Sequence, residues 1–146
     1  MSGAAARRER CLVLGFDRSE GARHAADWAV RELLPDGRLV IVHACRPLHG
    51  PPSPLAGSHE REQLGRAVVD ELLLAGADEV RDLDLVVEVL DEDPVSALID
   101  AAERQDARAI VLGRDPHTRL RWAMGVVTSE LLKRSPVPVI SVPADA

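Results

Sequence analysis

Polar and apolar positions follow two periods along this chain. Five short runs are nearly continuous in apolar residues: 11–16 (CLVLGF), 38–45 (RLVIVHAC), 83–90 (LDLVVEVL), 109–112 (AIVL) and 137–142 (VPVISV). Runs of this length and content predict strands of a parallel sheet, buried on both faces. The third run carries charges at two positions, Asp84 and Glu88, which suits the edge of a sheet. Between the runs, apolar residues recur at helical spacing. The first stripe is Ala22, Ala25, Ala26, Ala29, Val30 and Leu33. The second is Leu64, Ala67, Val68, Leu72 and Ala75, ending at Gly76. The third is Val95, Leu98, Ile99 and Ala102, and a short striped segment runs from Gly125 to Lys133.

Boundary residues agree with this division. Ser19 is a natural N-cap for the first helix, and Pro35-Asp36-Gly37 stops it. Asp93 followed by Pro94 reads as an N-cap with proline at the first helical position. Residues 46–58 hold four of the ten prolines (Pro47, Pro51, Pro52 and Pro54) and read as a loop. The predicted order is β-α-β-α-β-α-β-α-β. Strict alternation implies a parallel sheet with helices on both faces and right-handed crossovers. In such a sheet, ligands bind at the carboxyl ends of the strands. The stretch from Ala107 to Val142 is then the natural place for a site: strand, Gly113, a loop with Arg114, Arg119 and Arg121, then Gly125, helix and strand.

The 146 residues are close to the commonest size of one domain, so residues 11–146 are expected to form one core. Residues 1–10 lack the apolar stretch of a secretory signal and are expected to be a disordered lead-in. Aromatics are only 2%, leaving Ala, Val and Leu to fill the interior. A formal net charge of −6 argues against nucleic acid or an anionic membrane as main partner. No apolar run approaches the ~20 residues of a membrane span. Cys11 begins the first strand and Cys45 ends the second. Parallel neighbours put these at opposite ends, beyond the ~7 Å that a disulfide spans. Free thiols fit a reducing cytoplasm.

The chain resembles the universal stress protein family over nearly its full length. VLGFDRSEGARHAADWA, LVIVHA, and IVLG with GVVTSELLKRSPVPVISV carry the likeness, as do Asp-x-Ser after strand one and Asp-Pro before helix three. The resemblance implies an α/β, flavodoxin-like (adenine nucleotide alpha hydrolase-like) three-layer sandwich. Its five-stranded parallel sheet would have order 3-2-1-4-5, usually in a homodimer. Family members divide into ATP binders and non-binders, and the binders share Gly-x2-Gly-x9-Gly-Ser/Thr after strand four. Glycines let backbone approach phosphate, and helix N-terminal amides take the charge.

In this chain Gly113 matches the first glycine, but Pro116 replaces the second, and proline has no N–H to donate. The loop from His117 to Met124 is one residue short. Gly125 matches the third glycine, while Val126 replaces the hydroxyl residue. By resemblance, Gly15, Asp17, Ala44 and Leu112 line a nucleotide pocket and Gly113, Gly125, Val126 and Val127 fall on the phosphate motif, while Arg114, Arg119 and Arg121 could supply charge to a phosphate from their side chains instead of amides. Each has a plainer reading: Gly15, Ala44 and Leu112 as core, Asp17 as a turn residue, the arginines as solvated charges. His43 and His117 lack a paired acid or metal partner and read as structural.

Other chemistries fit less well. A phosphoacceptor receiver would need paired acids after strand one and a lysine ending strand five. No Gly-x-Ser-x-Gly elbow or Gly-x4-Gly-Lys-Ser/Thr loop is present. Asp91, Glu92 and Asp93 suit a solvated helix start better than a Mg²⁺ site. The expectation is a cytoplasmic, non-catalytic, dimeric stress-response module without ATP bound in the family's manner, its partners unidentified proteins. The alternative is an ATP-binding switch with slow turnover, its phosphates held by the arginines. An exposed β-branched edge invites pairing, so the interface is expected along Val137, Val139, Ile140, Ser141 and Val142.

Overall fold

The computed structural model describes residues 10–45, 58–74, 83–114 and 121–143; for residues 58, 73, 74 and 121–124 it describes the backbone only. The elements alternate as the pattern predicts: β1 (Cys11–Gly15), α1 (Glu20–Leu33), β2 (Arg38–Ala44), α2 (Ser58–Leu74), β3 (Asp84–Leu90), α3 (Pro94–Arg104), β4 (Ala109–Gly113), α4 (Arg121–Arg134) and β5 (Val139–Val142). All strand pairs are parallel, in the order β3-β2-β1-β4-β5. This is the sheet order that the resemblance implies. The expected lead-in, except Arg10, and the proline-rich loop from 46 to 57 lie outside the described residues. Arg10 itself is tied down. Its carbonyl accepts the Arg38 N–H at 2.7 Å, and its guanidinium meets the Leu33 carbonyl and Asp36.

Side chains on successive strand residues point to opposite faces, and each face builds its own core. On one, Leu12, Leu14, Leu39, Ile41, Ala109 and Val111 pack against α1 and α2. On the other, Val13, Val40, Val42, Ile110 and Leu112 pack against α3 and Leu131 of α4. α1 meets the sheet through Ala22, Ala25, Ala26 and Ala29, all buried, so the helix sits close. β3 is an edge strand, as its charges suggest. Asp84 pairs with Arg38 at 2.7 Å, and Glu88 is gripped by both terminal nitrogens of Arg104 at 2.7 and 3.0 Å. Cys11 is buried, Cys45 is half-buried, and both are free thiols. Among the described residues no helix is long and apolar enough to cross a membrane.

β5 is shorter than the pattern suggested, starting at Val139 rather than Val137. Pro138 has no N–H for a ladder. Ser135 takes both polar groups of Val137: its Oγ accepts the Val137 N–H at 3.1 Å and donates to the Val137 carbonyl at 2.6 Å. Both expected N-caps are present. The Ala22 N–H reaches Ser19 Oγ at 3.1 Å, and the Ser96 N–H reaches Asp93 Oδ1 at 3.0 Å.

Partial burial pushes the Asp93 carboxyl up, but hydrogen bonds from Ser96 and Val95 outweigh it and leave the group below its ordinary value. The cap's contribution is then complete above the unfolded pKa of about 3.9 and is lost as pH falls through the lower folded value. Replacing Asp93 by Ala should cost about 1 kcal/mol at neutral pH, read by urea denaturation. The difference from the parent should vanish at acid pH.

Candidate functional site

The carboxyl ends of β1, β2 and β4 meet around a small pocket of about 80 Å³, lined by Gly15, Phe16, Asp17, Val42, His43, Ala44, Leu98 and Leu112. Four of these, Gly15, Asp17, Ala44 and Leu112, are residues singled out from the sequence. Phe16, Val42 and Leu98 were legible only as apolar core positions. His43 read as structural, and it serves the pocket through structure. Its Nδ1 lies 2.8 Å from the Phe16 carbonyl. A carbonyl only accepts, so Nδ1 carries a proton and, in the neutral ring, Nε2 is an acceptor. The Phe16 N–H donates to the Val42 carbonyl at 2.9 Å, completing the tie between β1 and β2. Asp17 is exposed, and its Oδ1 accepts the Ser19 N–H at 3.0 Å, closing the turn into α1. Its second oxygen is an acceptor as well, so in its neutral-histidine state the pocket's polar side chains offer acceptors.

The phosphate side differs from the sequence expectation. α4 begins at Arg121, four residues before Gly125. Arg, Ala and Met are strong helix formers, and one interior glycine costs only about 1 kcal/mol. In such a helix, only the first four N–H groups lack an intrahelical partner. With the helix starting at Arg121 these end at residue 123, and Gly125, Val126 and Val127 lie beyond them. Gly125 is exposed, and among the described residues nothing outside its own helix backbone lies within 4 Å of where a Cβ would stand. Val127 packs against the second core. Arg114 is exposed at the end of β4, its N–H given to the Val142 carbonyl at 2.9 Å. Arg119, with Pro116 and His117, lies outside the described residues, as does the side chain of Arg121.

Gly113 has a different task from Gly125. A Cβ there would lie 2.1 Å from the Gly21 carbonyl oxygen and 2.8 Å from the Ala22 nitrogen. Those are backbone atoms, and they cannot swing aside. Glycine is needed here because the start of α1 rests directly on β4.

The acidic run after β3 is also occupied. Asp93 caps α3. The Asp100 carboxyl beside Glu92, together with partial burial, pushes the Glu92 carboxyl above its ordinary value. Among the described residues no group of three or more His, Cys, Asp or Glu is placed to hold a metal ion.

The model of the universal stress protein family matches residues 10–143. No curated protein matches the chain. Among solved structures, a universal stress protein family member from Burkholderia pseudomallei is 23% identical with a TM-score of 0.63, covering 93% of this chain and 97% of that one. A universal stress protein in complex with cAMP is 23% identical at a TM-score of 0.57, covering 92% and 97%. A family protein from Arabidopsis thaliana with AMP bound is 12% identical at 0.57, covering 91% and 90%. These likenesses establish a shared fold.

The two glycines should respond oppositely to alanine. Gly113→Ala forces α1 off β4 and should cost about 1–3 kcal/mol or more. Gly125→Ala should gain about 0.5–1 kcal/mol as an exposed helical site. Thermal and urea unfolding of the two variants read both effects.

Proposed function

The chain belongs to the universal stress protein family, and from that premise we propose that it is a dimeric, non-catalytic stress-response binding module that does not hold ATP through the family's glycine cradle. The observation that carries this reading is the early start of α4, which takes the amides of Gly125 and Val126 into the helix. Proline at 116 and valine at 126 remove two further donors from the same motif. Asp17 and His43 spend polar atoms on holding the turn. The partners are then unidentified proteins, and the free thiols support a reducing cytoplasm as the place of action.

A second reading is favoured by the pocket itself. It keeps Gly15, Asp17, Ala44 and Leu112 together at the strand ends. Two proteins of like fold carry AMP or cAMP. A nucleotide with one phosphate needs fewer donors than ATP, and exposed Arg114 lies at the end of β4 to supply one.

Homodimerisation is proposed through β5. Val139, Ile140 and Ser141 are half-buried along the free edge, while Val142 is already in the chain's own core. An antiparallel partner strand would cover the open N–H and C=O groups. Trp28 of α1 and Ile140 pack against the same core on one side of this edge.

Titration calorimetry of the purified chain with Mg-ATP should show no binding tighter than about 1 mM, equivalent to −4.1 kcal/mol. Micromolar binding of Mg-ATP that Arg114→Ala abolishes would overturn the proposal in favour of an arginine-held switch. For the interface, the Val139→Asp, Ile140→Lys double variant should run as a monomer by size exclusion with light scattering. A variant that stayed dimeric would place the interface elsewhere.

A further inference from the structure

The turn from Phe16 to Ser19 is held from three sides. β2 holds it through His43 and Val42, and α1 holds it through the Ser19 cap. The third hold reaches across from α2. Arg18 Nε donates to Glu71 Oε1 at 2.7 Å, and the Arg18 Nη2 meets the same oxygen. Arg18 has a φ of 68°, in the left-handed region where residues with a Cβ are uncommon and glycine is at ease. A glycine would relax this backbone but has no guanidinium to offer α2.

Glu71 is committed to that partner. Among the described residues its Oε2 has no hydrogen bond, and Arg23 Nη2 stands 3.7 Å from it. The hydrogen bond from Arg18 holds the Glu71 carboxyl below its ordinary value, against a smaller upward push from burial. Glu71 also stands at a junction in α2. Val68 and Leu72 face the core. Arg66, Val69 and Asp70 face an open groove of about 660 Å³ that continues over Val87 and Val89 of β3.

We propose that Arg18 is a positioning residue: its strap to Glu71 sets the turn that presents Asp17 to the pocket, and links the pocket to the seating of α2. The link to the pocket rests on reading the pocket as a ligand site, whereas the strap itself does not. A strained backbone persists only where its surroundings over-determine it. Here the over-determination comes from β2, α1 and α2 together. Loosening one hold should therefore loosen the turn without unfolding the sheet.

Amide hydrogen exchange of the full chain, read residue by residue by NMR, tests the strap. In Glu71→Gln the Ser19 and Ala22 amides should exchange about two- to fivefold faster, the range of an exposed ion pair. Val13 and Ile41 in the sheet should keep their rates. The reversed pair, Arg18→Glu with Glu71→Arg, should restore slow exchange. Unchanged exchange at Ser19 and Ala22, or equal acceleration throughout the sheet, overturns the strap. Titration with AMP as probe then tests the link. Weaker AMP binding in Glu71→Gln, restored by the reversed pair, supports it; equal binding overturns it. No AMP binding to the parent chain defeats the monophosphate reading and the link with it, and leaves the strap to be decided by exchange.

Discussion

Sealing the interior strands of the sheet on both faces is the constraint on which this structure depends. Leu12, Val13 and Leu14 of β1, and Ile110 and Val111 of β4, are wholly shut off from solvent. A slip of one residue in either strand would send every side chain into the opposite core. Because both cores are closely packed, no such slip is tolerated, and the pairings of β1 with β2 and β4 are unique. The ends of the strands are placed by the same requirement. Gly15, Ala44 and Leu112 come from three separate parts of the chain, yet they share one pocket because their strands cannot slide.

Small residues set how closely the layers approach. Alanine loses no side-chain rotamer freedom on burial, and four buried alanines let α1 lie low over the sheet. The closest approach is at its first turn, where Gly113 meets the backbone of Gly21. A glycine at the end of β4 is thus explained without a ligand. Gly125, by contrast, meets nothing among the described residues that requires a glycine.

The strand order and helix caps were legible because they rest on local chemistry. A Ser or Asp oxygen near the second or third amide of a helix is nearly sufficient to start one, and strictly alternating elements leave few topologies. The misreadings arose where two local signals competed. At Val137 the apolar run suggested strand, but Ser135 offered the backbone better partners than a ladder in which Pro138 cannot donate. At Arg121 the family's motif spacing suggests loop, while the residues themselves favour helix. Leu98 and His43 were hidden for another reason. Their place at the pocket follows from tertiary position, and no pattern within their own helix or strand marks it.

The two edges of the sheet are unlike. β3 is seven residues long, and its carboxylates are drawn to Arg38 and Arg104 of this same chain. β5 is four residues long, with apolar side chains and open backbone groups. An aggregate grows only if each unit has two sticky ends. Were the proposed pairing made through β5 about a twofold axis, it would use up that edge at two copies, and further growth would have to come from β3.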